Sequence, residues 1–69
     1  MEKLRISLKA ARVNAGYSQR KAAKLLNICV SSLQSYESGK IVPSWDVVKR
    51  MEELYGIPAD NIFFDRKYA

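Results

Sequence analysis

Two adjacent alanines, Ala22 and Ala23, stand just before a three-residue break, Asn27-Ile28-Cys29, and Leu33 follows four residues after it. This grouping constrains the chain more than any other feature. Small side chains let a second helix approach closely. Asn is the non-glycine residue most tolerant of the left-handed backbone region, so Asn27 suits a tight turn. Leu33 can then pack back on the first helix of the pair. Two short helices at a fixed angle, about residues 19–26 and 30–38, are the expected result. That is the helix-turn-helix plan, in which the second helix enters the DNA major groove.

The flanking sequence reads as helical too. Leu4, Leu8, Ala11 and Ala15 recur at helical intervals and predict a first helix over about residues 2–14, stopped by Gly16. Ser18 is the expected N-cap of the second helix. Gly39 ends the third. Ser44 is the expected cap of a fourth over residues 45–55, with Asp46 near the positive end of its dipole. Val47, Val48, Met51, Leu54 and Tyr55 form its apolar stripe, and Gly56 and Pro58 terminate it. Residues 58–64 make a fifth, short helix, and residues 65–69 a frayed tail. Leu4, Leu8, Ala23, Leu33, Val48, Met51 and Leu54 are the expected core. Strand alternation is weak and no internal repeat is visible.

Size and composition narrow the functional classes. A chain of 69 residues is expected to form one domain, and so small a domain buries little of its surface. The single cysteine, Cys29, rules out an internal disulfide, and a dimer partner is the expected source of added stability. The absence of histidine excludes ordinary zinc sites and His-based catalysis. No nucleophile–base pair, paired carboxylate site or phosphate-binding Gly loop is present, so the reading is of a non-enzyme without cofactor or metal. No apolar run approaches a membrane span, and Met1 to Lys9 mixes charge with apolar residues, unlike a signal peptide. The expected setting is reducing and cytoplasmic, with no membrane partner.

The net charge is +5, and it is unevenly placed. Residues 3–40 carry eight Lys and Arg against the one acid Glu37, whereas residues 41–69 carry four against five. A basic first half suggests one face meant for a polyanion. A merely solubilising basic surface is the competing reading. Apart from the motif, Ser31, Gln34 and Ser35 would read as a solvated helix face, and Arg20, Lys21 and Lys24 as solvated cations.

Over about Leu4 to Phe64 the chain resembles the lambda-repressor-like, Cro/phage-repressor (XRE-type) DNA-binding domains. The matching stretches are Leu8-Lys9-Ala10-Ala11-Arg12, Gly16-Tyr17-Ser18-Gln19, Ala22-Ala23, Leu33-Gln34-Ser35-Tyr36-Glu37-Ser38-Gly39-Lys40 and Pro43-Ser44. The resemblance implies an all-α fold of five compact helices, with the helix-turn-helix motif, about residues 18–38, in the second and third. It implies a sequence-specific transcriptional regulator, a repressor, that binds a palindromic double-stranded DNA operator as a homodimer. Val30, Ser31, Gln34 and Ser35 match its base-contacting positions. Gln19, Arg20, Ser38 and Lys40 match or neighbour its phosphate-contacting ones. Arg12 and Glu37 match a structural salt bridge.

Two positions depart from the family pattern. Asn27 replaces the more usual Gly in the turn. Cys29 stands where Ser or Thr normally caps the recognition helix, and a thiol is a weak acceptor, so a poor cap is expected. The recognition face also lacks Arg and Lys, which predicts affinity drawn mainly from phosphates. Trp45, Tyr55, Phe63, Phe64 and Tyr68 exceed what the core obviously needs and divide between core closure and a dimer interface. The alternative function is an antitoxin-like protein-interaction module with secondary DNA binding; RNA polymerase and a toxin are the protein partners considered.

Overall fold

A computed structural model describes residues 6–58 and 62–63. The order is β1 (Ile6–Ser7), α1 (Leu8–Asn14), α2 (Gln19–Leu26), α3 (Val30–Glu37), α4 (Trp45–Tyr55) and β2 (Ile62–Phe63). Four helices thus dominate, and the expected count of five is not met among the described residues. Ile62 and Phe63, expected in a fifth helix, are extended. They pair in parallel with Ile6 and Ser7 in the register Ile6↔Ile62, Ser7↔Phe63. β-Branched and aromatic residues suit extended backbone. The expected frayed tail, Phe64 and Tyr68 lie outside the described residues.

The first helix also starts later than its apolar spacing suggests. Ser7 is in extended conformation, and its Oγ accepts from the Ala10 N–H at 3.0 Å. That hydroxyl satisfies one of the donors orphaned at a helix start and marks the boundary at Leu8. Leu4 and the other residues of the proposed first turn lie outside the described residues.

The motif is built as local chemistry requires. The Ser18 Oγ accepts from the Lys21 N–H at 3.1 Å, capping α2. Asn27 ends α2 in the left-handed region, at φ 61° and ψ 45°. Its N–H and that of Ile28 donate back to carbonyls of the last turn, Lys24 at 3.1 Å and Ala23 at 3.0 Å. Cys29 occupies the N-cap of α3 and makes no side-chain capping bond, in keeping with a weak thiol acceptor. At α4 the outcome differs from expectation. Ser44 has N-cap backbone geometry, yet its hydroxyl makes no capping bond. Ser44, Trp45 and Asp46 are all exposed, so the start of α4 is open to solvent, and Asp46 is its one acidic first-turn residue to complement the dipole.

One apolar cluster joins the four helices: Leu8 and Ala11 of α1, Ala22, Ala23 and Leu26 of α2, Leu33 of α3, and Val47, Met51 and Tyr55 of α4. Leu26, Leu33 and Met51 are the largest fully buried side chains. Val48 is buried outside this cluster, and Leu54 is only half-buried against it. Leu25 of α2 is exposed, because Ala22, Ala23 and Leu26 already fill the contact. Arg50 ties α4 to the end of α2, its Nη1 donating to the Leu26 carbonyl at 3.1 Å.

Tyr55 belongs to this core rather than to an outer aromatic surface. Its ring lies 6.4 Å from that of Tyr17, tilted by 37°. Its hydroxyl is buried without a hydrogen-bond partner. Burial pushes that hydroxyl up to about 12 from its usual value near 10; the Glu37 carboxylate adds to the shift and Arg12 opposes it. Below pH 10 the group is protonated in both folded and unfolded chains. Between pH 10 and 12 the unfolded chain releases the proton and the folded one holds it, so stability falls as pH rises. Tyr55→Phe removes a polar atom with no partner, and at neutral pH should leave stability unchanged or raise it by about 1 kcal/mol. Urea titrations at pH 7 and pH 11 check both points. The advantage of the Phe variant should widen at the higher pH.

Candidate nucleic-acid interface

The apolar anchor of α3 is one side chain. Leu33 is its only buried residue, while Val30 and Tyr36 are half-buried against the core. The other faces of the helix are left open. Ser31 and Gln34 are exposed; Val30 and Ser35 are half-buried. The four residues assigned to base contact therefore divide: two stand free, and two also serve packing or the helix end. The Ser35 carbonyl accepts from the N–H groups of Lys40 at 3.0 Å and Ile41 at 3.3 Å, and from the Ser38 Oγ at 3.2 Å. Ser38, expected at a phosphate, thus turns its hydroxyl onto its own helix end. Lys40 follows it and is exposed.

Cations frame the opposite end of α3. Arg20, Lys21 and Lys24 of α2 are exposed, and with Ser18, Ile28 and Val30 they line an open depression of about 480 Å³. The basic residues singled out as individually solvated therefore share one surface with the start of α3. An anion lying there would meet three cations and the uncapped N-terminus of α3, whose positive dipole end favours negative charge.

At the C-terminal end of α3 lies a polar network. Arg12 of α1 and Glu37 of α3 form an ion pair, with Nε 2.7 Å from Oε2 and side chains only 8% and 5% exposed. The Arg12 Nη2 donates to the Glu37 Oε1 at 3.3 Å, and its Nη1 to the Tyr17 carbonyl at 2.8 Å. So deep a guanidinium needs all of these acceptors, because a buried charge without partners is strongly unfavourable. Gln19 joins the network: its Nε2 donates to the Glu37 Oε1 at 2.9 Å. Its Oε1 in turn accepts from the Gln34 Nε2 at 3.5 Å, a long contact. The pairing of Arg12 with Glu37 was readable by resemblance. The recruitment of Gln19, the Tyr17 carbonyl and Gln34 was not, since a glutamine at a helix start is equally suited to a phosphate. The position of Gln19 one residue after the Ser18 cap, facing the end of α3, is the signal that could have found it.

No described helix is long and apolar enough to cross a membrane. The exposed large apolar side chains include Ile41, Val42 and Trp45, in and just after the α3–α4 loop.

A family model described as a helix-turn-helix domain matches residues 3–62. The HTH-type transcriptional regulator ImmR of Bacillus subtilis (strain 168) is 40% identical over 55 residues, covering 80% of this chain and 43% of that protein. Multiprotein-bridging factor 1c of Arabidopsis thaliana is 35% identical over 54 residues, covering 78% of this chain and 36% of that one. The chain spans less than half the length of these relatives. Among solved structures there is no significant match.

Proposed function

Because the chain belongs to the helix-turn-helix domain family, we propose that it binds double-stranded DNA with α3 in the major groove and regulates transcription, as a repressor. The observation that carries this reading is the open polar face of α3 beside a shared basic surface. An eight-residue helix is about 12 Å long, close to the width of the groove. Ser31 and Gln34 face bases, with Val30 and Ser35 at the edges of that contact. Gln can meet adenine through N7 and N6, Ser donates or accepts, and Val can touch a thymine methyl. Gln19, Arg20 and Lys40 contact phosphates, and the backbone around Ser38 follows the same strand. The face contains no Arg or Lys, so most affinity comes from the phosphates.

The protein acts as a homodimer on a palindromic operator, with half-sites about 10 bp apart, or a multiple of that. Exposed Ile41, Val42 and Trp45 offer apolar surface for that association. The same surface favours the second reading, a module that docks another protein, such as a toxin or RNA polymerase; one relative is named a multiprotein-bridging factor.

Substitutions separate the assigned roles. Gln34→Ala should change preference at one base pair per half-site, by about 1–3 kcal/mol. Lys40→Ala should weaken all sequences alike and flatten the log–log salt slope by about 1. Titrations of matched and mismatched duplexes at several salt concentrations read both. Equal effects of the two variants on every sequence would count against the assignments.

A further inference from the structure

We propose that Glu37, acting through Gln19, fixes the hydrogen-bonding character of Gln34, so that Gln34 selects adenine over guanine. The inference rests on the reading of α3 as a DNA-facing helix and names the base that its one exposed amide reads.

The Glu37 carboxylate has only acceptors to offer, and both oxygens are engaged. Gln19 must therefore turn its NH₂ toward Glu37, where it donates at 2.9 Å to Oε1. A charged acceptor makes this the stronger of the two amide contacts and removes the choice of rotating the amide by a half turn. The Gln19 carbonyl is thereby aimed at Gln34, and it accepts from the Gln34 Nε2. One N–H of Gln34 is now directed inward. What remains for the groove is one N–H and one carbonyl oxygen.

That remainder decides which purine fits. Adenine shows an acceptor at N7 and a donor at N6, the complement of one N–H and one carbonyl. Guanine shows two acceptors, N7 and O6. A free glutamine amide can turn both N–H groups to guanine; one tied to Gln19 cannot, and its carbonyl would face O6. Gln19 is in this sense a positioning residue, and the ion pair of Arg12 with Glu37 sets its polarity.

The test uses the full chain and four forms: wild type, Gln34→Ala, Gln19→Leu and Gln19→Ala. A randomised duplex pool enriched on wild type gives the preferred sequence, and Gln34→Ala identifies the base pair that Gln34 reads. The ratio of affinities for adenine and guanine at that base pair is then measured for each Gln19 variant. A ratio cancels differences in overall affinity and in the fraction folded. The expected result is adenine at that position in wild type, with the ratio reduced about tenfold in both Gln19 variants and other positions unchanged. If both variants keep the wild-type ratio and weaken every sequence equally, Gln19 is a phosphate contact alone and the inference is overturned, while DNA binding stands. Guanine or no base selected at that position also overturns it. If wild type enriches no sequence and its binding ignores salt, the DNA reading fails, and this inference fails with it.

Discussion

Glu37→Ala is expected to cost about 3–5 kcal/mol, the range for breaking one side of a buried ion pair. The Arg12 guanidinium would lose two of its three acceptor contacts while remaining 8% exposed. Gln19 would lose the acceptor of its NH₂ in the same step. At roughly 0.05–0.15 kcal/mol per residue, a chain of 69 residues has about 3–10 kcal/mol in total. The loss is therefore at least about a third of the total, and enough to unfold a wild type at the lower end of that range. Urea denaturation followed by circular dichroism measures the loss. The paired replacement Arg12→Met with Glu37→Leu should recover most of it, because the cost lies in the stranded charge rather than in the absence of the pair. A Glu37→Ala variant as stable as wild type would show that the network is not buried as described.

Leu33→Ala has the second large effect, about 2–5 kcal/mol. Leu33 is fully buried, and it is the only buried residue of α3. Its truncation leaves a cavity where α3 meets the other helices, with Val30 and Tyr36 only half-buried to compensate. The consequence is local as well as global. α3 should lose hydrogen-exchange protection ahead of α2, whose Ala22, Ala23 and Leu26 keep three buried anchors. Uniform loss of protection across all helices would instead mean that the domain opens only as one unit. A helix anchored by one apolar side chain and one ion pair leaves most of its surface available for a ligand, so anchoring and function are linked here.

The motif was legible because its determinants are local. Ser18, Ala22, Ala23, Asn27 and Leu33 lie within sixteen consecutive residues, and each acts through short-range sterics or one hydrogen bond. Cys29 was legible for the same reason, since the weakness of its cap follows from the thiol itself. The parallel pairing of Ile6–Ser7 with Ile62–Phe63 was not, because two-residue strands have no readable alternation and their partners are 56 positions apart. Ser44 shows the limit of capping signatures: backbone geometry was met, but an exposed helix start can leave its donors to water. Tyr55 carries a ring suited to a core and a hydroxyl suited to a surface, and only packing against Tyr17 decides between them. The inward turn of Gln19 depends on Glu37, eighteen residues away, and on an oxygen left available by Arg12. Long-range polar partners of this kind carry no periodicity, which is why the site was read less completely than the helices around it.

Fluorescence anisotropy of labelled duplexes, taken from a randomised pool enriched on the protein and titrated at several salt concentrations, tests DNA binding most directly. The account predicts a recovered palindrome and a steep negative log–log salt slope, the mark of released phosphate counterions. Weak binding with no enriched sequence and little dependence on salt would contradict it, and would leave α3 as a scaffold for a protein partner.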